Sequence, residues 1–497
     1  MTRFQATAFG FCGLLLAAPA HASPTGTAWP QWGYNAQHTF HTPFVGDDFP
    51  SRFRWRNSLK GSAYRGSCVI GSFGEVLFTS THGRLHAVRH DGTLLWDYRF
   101  PETVSATPAM TRSGLAIVPS LDGCIHAIDE WTGHPLWIYC TGIESFKSDA
   151  VIDQNDHIYA TSVSGHLYCL NPDGELVWSV DLGAPTPNST PSIHPNGSII
   201  IGTASKERAI VQISPQGSIL FAAKLPNEER VTASPAITKD GRVYVATTNG
   251  SIICLQSSPV LQWRTPLGGE FIRGIAVSDD MVVAGSTDFN VYALDRFDGK
   301  LLWSHNLSGP IEAPPTIDGN GVVYAASTTG MVTAIYPDGT LKSELAGGIF
   351  HGPITIGGEG TIYGTIDWSV WAMDDGAPSI SVSPLDDRTD YWSGDQISVE
   401  VRLFSDAPDT IAVDLRVWIE GPHRSQVAQW HHYNRQVVPH SDTLLKPLGY
   451  RFTPHDTRGN YAVLASIHDP VSGEELERHG IPILLRDLPR DEVTAER

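Results

Sequence analysis

The feature that most constrains this chain is a short segment ending in tryptophan that returns about every forty residues. The copies read Phe53-Arg-Trp-Arg, Gly92-Thr-Leu-Leu-Trp96, Gly133-His-Pro-Leu-Trp137, Gly174-Glu-Leu-Val-Trp178, Gly217-Ser-Ile-Leu-Phe221, Val260-Leu-Gln-Trp263, Gly299-Lys-Leu-Leu-Trp303 and Gly339-Thr-Leu-Lys-Ser343. From Trp55 to Ser343 the successive spacings are 41, 41, 41, 43, 42, 40 and 40 residues. A register kept over eight copies marks an internal repeat, and a period of this size means a stacked or circular array.

Each period holds the same pieces. Ala233-Ser-Pro-Ala-Ile is followed by the turn Lys239-Asp-Gly-Arg and the alternating run Val243-Tyr-Val-Ala-Thr. Asn249-Gly250 then turns the chain into Ser251-Ile-Ile-Cys-Leu, and the Trp-bearing strand closes the unit. Four short antiparallel strands in forty residues make one propeller blade. A single such sheet cannot bury both faces, so blades must stack radially. The recurring aromatic is expected to pack between neighbours. The expected fold class is therefore all-β, an eight-bladed β-propeller of four-stranded blades. The last period runs into Asp374-Asp-Gly-Ala-Pro with no Trp strand, whereas the strand around Arg52 to Leu59 lacks the three before it. Placing that N-terminal strand in the eighth blade closes the ring and removes the exposed edges.

Two repeats, Ala127-x-Asp129-x-x-Thr132-Gly133-x-x-x-Trp137 and Ala293-x-Asp295-x-x-Asp298-Gly299-x-x-x-Trp303, resemble the repeat of pyrroloquinoline-quinone-type propellers. Asn171-Pro-Asp-Gly-Glu-Leu-Val-Trp178 is similar to a common variant, and Trp29-Pro-Gln-Trp-Gly-Tyr-Asn-Ala-Gln-His-Thr39 resembles the start of such propellers. The resemblance covers roughly residues 27 to 376. It implies the fold, but not one activity, because the superfamily holds quinone dehydrogenases as well as non-catalytic scaffolds of outer-membrane protein assembly. In the dehydrogenases the cofactor commonly lies over adjacent cysteines beside a calcium ion. This chain has no adjacent cysteine pair, and its repeats are nearly minimal. No cofactor is expected on the scaffold reading; quinone with calcium belongs only to the enzyme alternative.

The start of the chain reads as a leader. Arg3 precedes an apolar run from Ala6 to Ala18, and Ala20-His21-Ala22 fits a cleavage site. Residues 1–22 are the expected signal peptide, so the mature protein is periplasmic or secreted. No transmembrane segment is expected, since the run is too short to span a bilayer. A lipid anchor on Cys12 is disfavoured. The formal net charge of −19 repels phosphate backbones, so nucleic acid is not an expected partner.

Five cysteines follow the leader. Cys124 and Cys140 fall on two strands of one expected hairpin, which makes them the candidate disulfide in an oxidising compartment. The other reading is that all five are buried small residues. Cys169 and Cys254 favour it, each standing where other repeats have Ala. No metal site is expected. Asp153-Gln-Asn-Asp156 and Asp318-Gly-Asn-Gly321 begin like calcium loops but lack the later Gly and Glu, and they suit turns instead. His431-His432 has no Glu or Cys at ligand spacing. No catalytic residue is assigned.

Aligning the blades by their first turn puts one residue per blade where the chain approaches the innermost strand. These are Arg65, Ser105, Lys147, Asn188, Thr232, Arg273, Glu312 and His351, with Ile272 as an alternative to Arg273 in a blade one residue short. The set would ring one mouth of the central channel. Three cations in an acidic protein could attract a small anion, a carboxylate or an acidic peptide end. The competing reading is a water-filled channel lined by polar residues.

After Asp375 the pattern changes. Gly376-Ala-Pro378 is a linker signal. Alternating runs at Ile380-Ser-Val-Ser, Gln396–Phe404, Ile411–Ile419, Asn460–Ile467 and Ile481–Leu485 then suggest an immunoglobulin-like β-sandwich. The expected domains are a propeller over 23–376, a sandwich over 377–487 and a charged tail over 488–497. The expected function is an exported, non-catalytic, monomeric scaffold that binds a protein partner or a small anionic ligand. The alternative is a quinoprotein dehydrogenase or another channel-sited enzyme, with Glu312 and His351 as candidate groups.

Overall fold

The computed structural model describes residues 29–46, 52–58 and 66–374, except 73, 90–91, 143, 257–258, 347–351, 359 and 367–368, and the strands lying between 379 and 486. The expected leader and charged tail lie outside the described residues.

Eight four-stranded antiparallel sheets follow one another. Blades 1 to 7 occupy 69–99, 109–140, 151–181, 192–223, 236–266, 276–306 and 316–346. Blade 8 takes its three inner strands from 355–374 and its outer strand from Arg52–Ser58, which pairs antiparallel with Ser369–Asp374 and sets Trp55 opposite Ala372. The N-terminal strand thus closes the ring, as the truncated last period requires. Both faces of each blade are covered by neighbours. A strand such as Val76–Ser80 or Leu115–Pro119 is accordingly buried at every position, with no polar-out alternation. The outer strands lack that cover and alternate, as Pro135–Cys140 does.

The Gly-x-x-x-Trp spacing has a direct physical cause. Each tryptophan faces a small residue on its own blade, Trp96 opposite Ala87 and Trp137 opposite Ala127. Its ring then reaches the next blade. Trp96 Nε1 donates to Glu130 O (3.0 Å), Trp137 Nε1 to Pro172 O (3.1 Å) and Trp178 Nε1 to Pro215 O (3.0 Å). The ring lies against that blade's turn glycine. A Cβ on Gly174, whose φ is +81°, would stand 2.4 Å from the Trp137 ring. Gly is needed there for both backbone sign and space. In blade 2 the Asp four residues before the equivalent Gly133 closes that turn: Asp129 Oδ1 accepts from Trp131 N, Thr132 N and Thr132 Oγ1.

The C-terminal strands form two further sheets. Ser379–Pro384, Gln396–Ser405 and Ser441–Leu444 lie in one, with Leu448–Arg451 pairing along Gln396–Ser405. The other has five strands in the order Asp390–Trp392, Glu475–Arg486, Gly459–His468, Ile411–Glu420, Gln426–Val437. All five runs read from alternation are strands. Gln426–Val437 was missed, because its run of Gln, His, Asn and Arg carries no apolar alternation. His431 and His432 lie on it and pair with Val417 and Arg416. Among the described residues no helix is long and apolar enough to cross a membrane.

Candidate functional site: the plugged channel

The resemblance carried by Trp29 to Thr39 marks the residues that decide the centre of the ring. This segment runs around the channel and meets seven blades in chain order. The second residue of each innermost strand supplies the N–H. Ile70 donates to Trp29 O (2.9 Å), Met110 to Pro30 O (2.8 Å) and Ile152 to the side-chain Oε1 of Gln31 (3.0 Å). Ile193 then donates to Ala36 O, Ile237 to Gln37 O, Val277 to Thr39 O and Ile317 to Phe40 O, all at 2.7–2.9 Å. These innermost strands are two residues long and end at the channel, so their last N–H groups need partners, which the segment provides. Asp318 Oδ2 extends the tie by accepting from Gly46 N (3.2 Å).

The plug is aromatic on its buried side. Trp29 and Trp32 are 0% and 1% exposed, and Phe40 is 0% exposed. Trp32 and Phe40 meet edge to face at 5.2 Å, as do Trp29 and Tyr34 at 5.4 Å. His38 is buried with φ +53°, its Nδ1 3.0 Å from Ser192 Oγ. Burial holds its pKa down at about 3.

Beneath the plug runs a belt of short polar side chains, linked blade to blade. Ser67 N donates to Thr107 Oγ1 (3.0 Å), and Thr107 N to Asp149 Oδ1. Thr190 Oγ1 donates to Asp149 Oδ2 (3.1 Å), Thr190 N to Ser234 Oγ (3.0 Å) and Ser234 N to Arg273 O (2.9 Å). Ser67 Oγ and Thr355 Oγ1 join the first and last blades at 3.1 Å. Asp149 is 1% exposed. Burial raises its pKa, against the opposing pull of Arg273 and the Thr107 and Thr190 hydrogen bonds. Arg273 Nη2 lies 3.9 Å from Asp149 Oδ2, and its guanidinium stacks over the Trp32 ring at 4.4 Å.

Of the expected mouth ring, Arg65 and His351 lie outside the described residues. Ser105, Lys147, Asn188, Thr232 and Glu312 all stand five residues before the second residue of the innermost strand, and all are half-buried. Ser105 Oγ donates to Lys147 O (3.1 Å), so two of them are neighbours. By the same register the position in blade 6 belongs to Ile272, the alternative considered above. Arg273 is one step further in and buried. Its cation faces Trp32 and Asp149, a placement set by the plug that repeat alignment cannot show.

On the plug side, the first turns of blades 3 to 6 surround a cavity of about 920 Å³ floored by Asn35, Gln37 and Thr39. Its rim carries Asp153, Asn155, His194, Lys239, Asp240 and Arg296. The two acidic loops that begin like calcium sites are satisfied as turns. Asp153 Oδ1 accepts from Asn155 N and His157 N, and Asp318 Oδ1 from Asn320 N and Val322 N. Cys124 and Cys140 are joined as a disulfide, and Cys68, Cys169 and Cys254 are buried thiols.

With this geometry in place, comparison with known proteins is informative. The family model described as outer membrane protein assembly factor BamB matches at residues 52–189, 122–208, 205–346 and 260–383. The outer membrane protein assembly factor BamB of Burkholderia pseudomallei is 32% identical over 116 residues, which are 23% of this chain and 30% of that protein. The chain thus spans about a third of that relative's length. Among solved structures, BamB from Moraxella catarrhalis superposes with a TM-score of 0.56 at 17% identity, covering 65% of this chain and 98% of that one. Quinohemoprotein alcohol dehydrogenase from Comamonas testosteroni does so with 0.59 at 12% identity, covering 71% and 81%. At these identities the structures speak for the fold alone.

Proposed function

The chain belongs to the outer membrane protein assembly factor BamB family, and from that premise we propose that it is an exported, non-catalytic scaffold of the cell envelope that binds a protein partner in outer membrane protein assembly. The observation that carries this reading is the plug. The centre of the ring, where a channel-sited enzyme would keep its reaction centre, holds Trp32 over the Arg273–Asp149 pair. A quinone with calcium fits the described residues poorly. No two cysteines are adjacent, and the belt's acid already serves Thr107, Thr190 and Arg273. The two C-terminal sheets, read as an immunoglobulin-like sandwich, would be a second contact surface.

The small-ligand part of the reading rests on the channel mouth, where Lys147, together with Arg65 as the repeat alignment of the sequence places it, would draw an anion. Replacing Arg65 and Lys147 should abolish binding of a carboxylate seen by calorimetry; unchanged binding would remove this part.

The main reading is tested by capturing the mature protein from solubilised envelopes, with a chain ending at residue 376 in parallel. Recovery of outer membrane assembly components is the expected result. Recovery of none of them, together with dye reduction on adding the quinone and calcium, would replace the scaffold by the enzyme alternative.

A further inference from the structure

In blade 2 the strand Cys124–Asp129 pairs with Pro135–Cys140, and Cys124 stands directly opposite Cys140. Asp122 stands in the turn before this strand, and Cys124 and His126 occupy alternate positions on one side of the ladder. The donor atoms of these three all lie within 4.8 Å of one another. His126 Nε2 is 2.9 Å from Asp122 Oδ2. The other oxygen, Oδ1, accepts from Cys124 N (2.9 Å), which holds the carboxylate in place. His126 Nδ1 lies 3.3 Å from the Tyr98 hydroxyl of blade 1. The sulfur of Cys140 is bonded to that of Cys124, which brings a fourth donor beside this group. At the equivalent register the pair is Arg84–Arg99 in blade 1, His166–Asp181 in blade 3 and Asn290–Asn306 in blade 6. The facing cysteines are thus special to blade 2, whereas the hold on the carboxylate recurs in blade 6, where Asp288 Oδ1 accepts from Asn290 N and Oδ2 from the Tyr292 hydroxyl.

We propose that the Cys124–Cys140 disulfide gates a metal site, and that its reduced form binds one zinc ion through Cys124, Cys140, His126 Nε2 and Asp122. Cys140 is exposed on an outer strand, where a reductant can reach it. A dithiol cleaves the S–S bond by thiol exchange and is itself oxidised to a disulfide. Two electrons and two protons pass to Cys124 and Cys140. Zinc then displaces both thiol protons to water. Two thiolates, an imidazole and a carboxylate are a closed four-donor set suited to tetrahedral zinc. Donor separations in such a site are about 3–4 Å, so Asp122, Cys124 and His126 need to close by ~1 Å, and the Cys140 side chain must turn in to join them. With Nε2 on the metal, the ring proton that now faces Asp122 passes to Nδ1, which donates to Tyr98, the outer hydrogen bond that a ligating histidine normally makes. While the disulfide is intact, both sulfurs are committed to each other and the site is shut.

The test uses the whole mature protein, reduced with dithiothreitol, desalted without oxygen and titrated with Co²⁺, then Zn²⁺. The expected result is one Co²⁺ per chain, with thiolate-to-cobalt charge transfer and the visible bands of tetrahedral cobalt, bleached by one equivalent of Zn²⁺. The oxidised protein and Cys140→Ser should show neither band. Asp122→Asn keeps the bond from Cys124 N but loses the charged ligand, and should bind at least about tenfold more weakly. Near-UV circular dichroism checks that each sample is folded. Equal binding by the oxidised protein or by Cys140→Ser would place the metal elsewhere and overturn the proposal. So would a folded, reduced protein that takes up no metal, or loss of the fold on reduction.

Discussion

Within the blades every important contact recurs. Trp137 reaches Pro172 O, Trp178 reaches Pro215 O and Trp303 reaches Pro337 O, each across one blade boundary and each against a turn glycine. Within the plug the backbone ties recur, six blades donating to a carbonyl of the segment, but its side-chain contacts do not. Trp29 and Pro30 offer carbonyls, Gln31 offers a side chain, and Trp32 covers Arg273. Both regions join blade to blade. The rim does so with equivalent, half-exposed tryptophans, and the plug with one continuous segment whose buried side chains, Trp29, Trp32 and Phe40, each occur once. The loss of one rim link leaves its copies in place, whereas the loss of a plug residue has no substitute.

The largest contrast is expected between Trp32→Ala and Trp178→Ala. Removing the buried plug tryptophan should cost about 3–5 kcal/mol of stability in urea unfolding. The half-exposed rim tryptophan should cost less than half as much, and equal losses would erase the distinction. Gly174→Ala is next. Its Cβ would meet the Trp137 ring at a positive φ, and a loss of about 2 kcal/mol is expected by the same measurement. His38→Asn tests the plug through pH. Because burial lowers the His38 pKa from 6.5 to about 3, the unfolded chain takes up a proton below pH 6.5 that the fold refuses. The stabilisation is present above 6.5 and is lost as pH falls towards 3. At pH 5 this amounts to about 2 kcal/mol. Asn tolerates the positive φ, so the variant should lose that much less stability than the parent between pH 7 and 5. An unchanged pH slope would remove His38 as the acid-sensitive element. The smallest effect is expected for Trp178→Phe, which keeps the ring and loses the hydrogen bond to Pro215 O. Its cost should be about 1 kcal/mol.

What could be read from the amino acids follows the same division. The blade count, the four strands, the closing strand at Trp55 and the role of the tryptophans were all legible, because each is a local pattern repeated until chance is excluded. The disulfide partners were legible as a hairpin pair. The site was much less so. Arg273 looked like a member of an open cationic ring, yet it faces a buried Asp149 under Trp32. Asp122, Cys124 and His126 match no familiar metal-ligand spacing, because a turn at Gly123 brings Asp122 to the strand and Cys140 lies across the ladder.

The order of residues by itself determined the ring: short-range alternation and turn chemistry specify a blade, and a blade with two apolar faces has no stable partner but its copies. Only the tertiary structure decided what fills the centre. Seven blades that are far apart in sequence converge there, and each leaves an N–H at the end of a two-residue strand. No local pattern in those strands names the segment that satisfies them, because the selection depends on the width of the closed channel and on the bulk of Trp29, Trp32 and Phe40 that fits inside it.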